Sequence, residues 1–413
     1  MTQTLVIDGL KRRELPINLR QSGNSDARML ISTRIRKSPW WHLSKAAGCW
    51  AYTTYNHMYH PRAYIKPEDG GLLEEYKYLT EHVSMWDVAV ERQIQIKGPD
   101  AADFVDLLIT RDVHSRVPTM QARYVILCNQ YGGVINDPVL LRVAEDEFWF
   151  SISDSDVLLW AQGVNAIAGL NVDIHEIDVS PVQIQGPKSV LLMEKMFGSH
   201  IRNIPYYGLI HETLNGHAVT ISRTGFSAEI GFEIYLHGAM RHADDVWPYI
   251  LEQGEAFNLR VIAPSHIRRI EAGILSYGQD LDIENNPFEV RLGWQVDLTK
   301  GNFIGKEALT RIKAEGVTQR LVGLRVGGEP LTWYNEDFYL VSDEKSGEAV
   351  GYVTSAFWSP NHQSNIALAV MPRSHWSRGT SVNVRLPADG LVDAEVVRVP
   401  FVDPTKERPK TAL

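Results

Sequence analysis

The sequence predicts an α+β protein with antiparallel sheets, followed by an all-β C-terminal section. A strand, Gly-Pro turn and amphipathic helix occur twice, at Ile94-Gln-Ile-Lys-Gly-Pro99 and again at Val182-Gln-Ile-Gln-Gly-Pro187. Each copy is followed by further strand-like runs and another helix, a duplicated unit rather than an alternating parallel array. Beyond residue 315 the chain is rich in short Val-, Gly- and Thr-containing runs separated by turns, as in a barrel or small sandwich. At roughly 150 residues per domain, 413 residues leave room for two or three domains with ample core.

Residues 1–30 read as an N-terminal extension, with 20–28 a polar loop. The basic and aromatic stretch 32–41 and the segment 51–61 have neither helical nor strand period. Residues 68–82 fit a helix, and 90–97 alternate as a half-buried strand. In the first copy of the repeat a helix is expected over 100–108, with Pro99 at its first position, where the missing N–H costs nothing. A strand at 148–153 and a helix at 155–168 follow. The second copy predicts a helix at 188–196, a strand at 232–236 and a helix at 239–255. Barrel strands are expected at 321–326, 349–354, 366–370, 382–386 and 392–397.

With 44% hydrophobic and 22% charged residues the chain should fold as an ordinary soluble protein. Its net charge of −9 gives no general attraction to nucleic acid or anionic membrane, so neither is expected as a partner. Cys49 and Cys128 stand in no zinc spacing, which points to a reduced, cytoplasmic setting without a metal site. Met1 to Arg20 lacks a continuous apolar core, so export is not expected, and no apolar run is long enough to span a membrane. Eleven Trp exceed what a generic core requires. No GxxxxGK[ST], strand-linked GxGxxG, HExxH or GxSxG occurs, which sets aside nucleotide hydrolysis, dinucleotide redox, zinc peptidase and α/β-hydrolase chemistry. His57 and His60 lack a third ligand and are read as ordinary hydrogen-bonding loop residues.

Three constellations combine polar and apolar residues. In Gly132-Gly-Val-Ile-Asn-Asp-Pro138, Asn136 and Asp137 interrupt an apolar strand, either as an Asx-stabilised turn or as a buried carboxylate near a reacting centre. In Gly225-Phe-Ser-Ala-Glu-Ile-Gly-Phe-Glu-Ile-Tyr235, strand alternation puts Glu233 and Tyr235 on one face beside a Gly-flanked loop. In Arg268-Arg-Ile-Glu-Ala-Gly273, Arg269 and Glu271 are candidates for a buried ion pair.

Together with STRIRKSP (32–39), YTTYNHM (52–58), MWDVAVERQIQIKG (85–98), SISDSDVLLW (151–160), NNPFEVRLG (285–293) and TSAFWSP (354–360), these segments resemble the folate-dependent aminomethyltransferases, the glycine-cleavage T-protein superfamily. Within it they are most similar to the branch that demethylates dimethylsulfoniopropionate. The resemblance covers roughly residues 30–403 and implies a three-domain cloverleaf. In it, 31–90 with 178–265 form one folate-binding domain, 91–177 with 266–312 a second, and 313–413 the barrel. It implies tetrahydrofolate as methyl acceptor, a small methyl donor, no metal, and an active protein compatible with a homodimer.

By the same resemblance Glu233 accepts the aminopterin edge in bidentate fashion, Tyr124 lines the folate site, and Arg269 is a cofactor-side helix arginine. Asp137 stands near the reacting end of the pterin. Ser151, Tyr235, Tyr55 and Phe226 belong to the donor pocket, and Asp137 and Tyr235 are the catalytic candidates. Phe226 and Ala228 replace a Trp and a Lys of the sulfonium branch, which removes the strongest cation–π face and a carboxylate partner. Arg34, Arg36 and Lys37 are the alternative carboxylate partners; Tyr55, Tyr59 and the Trp40-Trp41 pair are candidate aromatic walls. The same fold would also accommodate demethylation of a methoxy aromatic acid, aminomethyl transfer, or folate binding without catalysis.

Overall fold

The computed structural model describes residues 31–411; the expected N-terminal extension lies outside them. A six-stranded sheet runs in the order Leu209–Leu214, His217–Ser222, Gly231–His237, Val179–Gln185, Val83–Asp87, Leu259–Val261, all antiparallel except the last pair. A five-stranded antiparallel sheet follows the order Asp173–Glu176, Gln93–Lys97, Glu147–Ser151, Val139–Ala144, Gln121–Tyr124. Gln319–Val326, Ser364–Pro372, Ala349–Ser359, Tyr339–Asp343, Ser381–Leu386 and Gly390–Val397 close into a barrel. The α+β class with a C-terminal barrel is therefore as the sequence predicts. The barrel strand 339–343 escapes sequence pattern because it is short and merges into the turn at Asp343.

Each sheet is covered on one face by helices whose apolar stripes the sequence repeat encodes. Ser189–Phe197 and Ala239–Gly254 bury Leu192, Met193, Val246, Trp247 and Ile250 against Ile184, Ile221, Phe232 and Ile234 of the six-stranded sheet. Ala101–Leu108 and Val157–Ala168 bury Phe104, Val105, Leu108, Val157 and Ala161 against Ile94, Ile96, Phe148 and Phe150 of the other. The opposite faces meet each other: Ala122, Leu141, Val143 and Trp149 pack on Val179, Leu209 and Tyr235. Main-chain hydrogen bonds from Ala122 N to Tyr207 O (2.8 Å) and from Leu209 N to Met120 O (3.0 Å) stitch the sheets along this seam. Any space left between the facing sheets is therefore lined by strand residues of both repeats.

The repeat differs from its sequence reading in one detail. Pro99 and Pro187 precede the helices, which start at Ala101 and Ser189, and sit in turns entered through Gly98 (φ 146°) and Gly186 (φ 118°). The helix expected over 68–82 begins at Gly71 after a short turn, and the strand expected from residue 90 starts at Gln93. A tight turn at Ala89–Glu91 takes that place and brings Glu91 inward. No helix among the described residues is long and apolar enough to cross a membrane.

The barrel packs its outer surface on both repeats: Leu321, Phe357, Ile366, Leu368 and Val370 share a cluster with Ile126 and Val134, which follow the first copy, and with Ile267 and Ile270, which follow the second. The helix His266–Glu271 is fully buried in this junction, capped by the Ser265 hydroxyl. Its two arginines divide the junction between them. Arg269 pairs with Asp280 and donates to Ser355 Oγ (2.7 Å) of a barrel strand, while Arg268 pairs with Glu271 (2.9 Å) and Glu229 (2.9 Å). The expected Arg269–Glu271 pair is thus not formed: three residues along the helix, Arg268 is the neighbour that reaches Glu271.

Candidate active site

A cavity of about 460 Å³ opens where the two sheets, the buried helix and the C-terminal segment meet. Seven of the eight residues singled out from sequence stand on its wall: Tyr55, Tyr124, Asp137, Ser151, Phe226, Glu233 and Arg269. They come from three strands of the two sheets, a hairpin, two loops and a helix, which only the interleaved topology brings together.

Tyr235 is the exception. Its side chain is buried in the seam between the sheets, off the cavity wall, and its hydroxyl donates to Glu233 Oε2. A donor-pocket position is expected of it; a strand places residues two apart on one face, but here Glu233 lies at the cavity and Tyr235 behind it.

Glu233 is held by four donors. Oε2 accepts from Tyr235, from Thr224 Oγ1 (2.8 Å) and from Ser222 Oγ (3.4 Å); Oε1 accepts from Gln183 Nε2 (2.8 Å), its direct cross-strand partner. Oε2 is thereby committed to hydroxyls, and the bidentate face expected of Glu233 reduces to Oε1. Burial raises its pKa against these hydrogen bonds, which favour the ionised form.

The same Gln183 nitrogen also reaches Glu91 Oε1 (3.4 Å), whose other oxygen accepts from Ser151 Oγ (2.8 Å). Ser151 in turn accepts from Gln93 Nε2 (3.0 Å). Glu91 lines the cavity and keeps part of its surface open to it. Burial and the Glu233 carboxylate push its pKa well above the usual range. Sequence reasoning missed Glu91 and Gln183: Glu91 heads the polar run Glu91-Arg92-Gln93 and Gln183 is a single polar residue between apolar ones, both in runs that read as ordinary strand, and only the fold aims them at Glu233.

On another part of the wall Tyr124 donates its hydroxyl to Asp137 Oδ2 (2.8 Å), and Asp137 Oδ1 has no partner among the described residues. Burial lifts the Asp137 pKa to about 6, opposed by its hydrogen bonds with Ser153 and Tyr124. The adjoining Asn136 is structural, bonding Ser153 O (2.9 Å) and Ser155 Oγ (2.8 Å). Tyr55 also lies on the wall, its pKa raised by burial and by Asp137.

Phe226 belongs to the loop that the two glycines bracket. Its backbone N–H approaches Gln183 Oε1 (3.4 Å), and the loop is anchored by Gln185, which donates to Thr224 O (3.1 Å) and accepts from Ser227 Oγ (2.6 Å). A Cβ at Gly225 or Gly231 would stand 2.2 or 2.3 Å from the Gln185 amide, so both positions need glycine for close approach. The C-terminal segment closes the wall with Lys406 and Pro409. It is pinned by Arg223 donating to Pro409 O (3.1 Å) and by Arg408 paired with Glu229 (2.9 Å).

The alternative donor-site residues lie elsewhere. Arg36 pairs with Glu176 (2.7 Å), Trp40 is buried against Trp247, and Trp41 packs at a tilt against Tyr52 and Tyr59; none of them, nor Arg34 or Lys37, is on the cavity wall. Arg269 reaches the wall, but its donors are taken by Asp280, Ser355, Gln279 (3.0 Å) and His266 (3.2 Å). Outside the cavity, His217, His242 and Asp245 bring three potential metal-ligand atoms within 4.8 Å of one another.

Residues 41–300 match the GCVT N-terminal domain model, and residues 319–403 the glycine cleavage T-protein C-terminal barrel domain. The chain belongs to the glycine-cleavage T-protein family, a family of enzymes that transfer one-carbon groups with tetrahydrofolate. It is 36% identical to the dimethylsulfoniopropionate demethylase of Ruegeria pomeroyi over 88% of this chain and 97% of that protein. It is 33% identical to an aminomethyltransferase of Thermotoga maritima over 80% and 89% respectively. The glycine cleavage system aminomethyltransferase T of Bartonella henselae shares the fold, with a TM-score of 0.78 at 21% identity, covering 90% of this chain and 99% of that one.

Proposed function

We propose that this enzyme moves a methyl group from a sulfonium donor of the dimethylsulfoniopropionate type to N5 of tetrahydrofolate. The observation that carries the reading is local charge: Arg62, Arg269, Arg291 and Lys406 also line the cavity, but among the described residues no Lys or Arg pairs with Glu91, Glu233 or Asp137, which leaves that part of the wall acidic. Such a wall favours ligands with positive or N–H-rich edges. The 36% identity over nearly the whole of a sulfonium demethylase supports the donor class.

The residues fit the folate. The free lone pairs of Glu233 Oε1 suit an aminopterin N–H, held in place by Gln183 and Tyr235 behind it. Asp137, supported by Tyr124, would orient the pterin and stabilise positive charge developing at the acceptor nitrogen. When bound, tetrahydrofolate supplies the nucleophilic nitrogen, and the sulfonium brings its own good leaving group, so the protein's work is to position two reactants and exclude water. Tyr206, Tyr207 and Phe226 provide ring faces on the same wall.

The test is incubation of purified protein with tetrahydrofolate and dimethylsulfoniopropionate, a methoxybenzoate or an aminomethyl donor, with mass spectrometry of the folate. 5-Methyltetrahydrofolate from the sulfonium alone supports the reading. Product from the methoxybenzoate instead moves the donor to an ether, which needs a proton for its leaving oxygen. Folate binding without product from any donor rejects the enzymatic assignment of the donor altogether.

A further inference from the structure

One amide nitrogen, Gln183 Nε2, touches both Glu91 and Glu233, so two carboxyl groups lie within a single hydrogen-bonded cluster inside the protein. The groups that face the pair are all uncharged when protonated normally. They are Ser151 from the five-stranded sheet, Gln183, Ser222 and Tyr235 from the six-stranded sheet, Thr224 from the Gly-bracketed loop, Tyr55 from the hairpin, and Tyr206 and Tyr207 from the segment before the seam. The nearest cations in sequence turn away. Arg92 gives its guanidinium to Glu176 (2.7 Å), and Arg223 donates to backbone carbonyls of Ile204 (3.2 Å) and the C-terminal segment.

Two negative charges so placed, partly buried and with no Lys or Arg paired to either among the described residues, repel each other and lose solvation, so the cluster as built favours one added positive charge. Glu233 has Oε2 saturated by hydroxyls. Glu91 has one firm partner, Ser151, and its remaining surface opens on the cavity. The upward direction of both carboxyl pKa values has the same cause.

Resting on the donor reading above, we infer that Glu91 and Glu233 share one proton in the free protein and release it to solvent when a positively charged ligand group enters, with Glu91 as the residue that selects cationic over neutral donors. The exchange is a charge substitution: a carboxylic O–H bond breaks, its electron pair stays on the carboxylate oxygen, and the proton passes to a buffer base as the cation arrives. Glu91 is thus a specificity residue that touches the donor, whereas Gln183 is a positioning residue that couples the two carboxyls.

The experiment compares dimethylsulfoniopropionate with its isostere 4-methylpentanoate, which keeps the carboxylate and lacks the sulfonium charge, by calorimetry on the full chain in two buffers of different ionisation heat. Wild type should prefer the sulfonium by about tenfold or more and release about one proton per ligand. Glu91→Gln, its folding checked by thermal unfolding, should lose most of that preference and the proton release, and Glu91→Asp should keep part of both. Equal binding of the two compounds by wild type, binding of neither, or a preference that survives in Glu91→Gln overturns the inference. Tetrahydrofolate binding is measured separately: its failure counts against the folate assignment, while the sulfonium contrast is read without folate.

Discussion

The Tyr235 hydroxyl donates to Glu233 from behind, so the tyrosine governs the cavity through a carboxylate that it never lets a ligand share on that side. Removing the hydroxyl leaves Glu233 Oε2 with Thr224 and Ser222 and loosens the side chain. A hydrogen bond to a charged group contributes about 1.5–3 kcal/mol. Tyr235→Phe should therefore weaken tetrahydrofolate binding by roughly tenfold and change the donor KM little. A raised donor KM with unchanged folate affinity, measured by fluorescence titration and steady-state kinetics, would put the hydroxyl at the donor after all.

Asp137 links pH to both stability and turnover. Its pKa rises from 3.8 to about 6 on folding, so the folded protein holds this proton more tightly than the unfolded chain. Its contribution is favourable below pH 4 and is lost as pH rises through about 6. Asp137→Asn should accordingly unfold at a higher temperature than wild type at pH 8, by an amount of order 3 kcal/mol at most, with the difference vanishing at low pH. Wild type should gain single-turnover rate between pH 5 and 7, since the ionised carboxylate is the form that favours charge at the acceptor nitrogen, and the same variant should lose that rise. An unchanged pH profile would remove Asp137 from the chemistry.

Gly231→Ala places a Cβ 2.3 Å from the buried Gln185 amide, which must then give up its bonds to the loop. The expected cost is about 2–4 kcal/mol, as for overpacking combined with a lost buried hydrogen bond. Adding Gln185→Ala should cost less than the two changes separately, because the clash and its victim go together. Chemical denaturation of the three variants measures this, and strict additivity would refute the packing account.

Arg269 joins the buried helix to the barrel, with every donor engaged by protein groups. Arg269→Met leaves Asp280 buried and unpaired and should destabilise by about 3–5 kcal/mol, whereas Arg269→Met with Asp280→Asn should recover much of the loss. If instead the single variant unfolds normally and only folate affinity falls, the arginine belongs to the cofactor site.

Much of this architecture is legible in the chain because strand and helix periods are local. The two Gln-Ile-Gln runs and the helices after them bury the residues that their spacing indicates. What could not be read is where polar side chains point once two sheets face each other. Glu233 and Tyr235 are rightly placed on one face, yet that face is partly cavity and partly seam, a distinction that depends on Leu209 and Trp149 from elsewhere. Glu91 sits in a turn that interrupts the expected strand, and its partner Gln183 lies far along the chain. Arg269 shows the reverse problem: proximity in sequence suggests Glu271, which helix spacing gives to Arg268 instead, while the tertiary fold supplies Asp280 from the following loop.

Because the chamber wall takes side chains from Tyr55 through to Pro409, no contiguous fragment of the chain carries a usable site. Crossovers between this sequence and a relative would split the Glu91–Gln183–Glu233 cluster or part the Arg223 anchor from the C-terminal carbonyls that it holds. Donor preference in such a chamber is therefore inherited as a whole chain, and altering it by recombination calls for matched exchanges on both strands of the interleave rather than for the transplant of one domain.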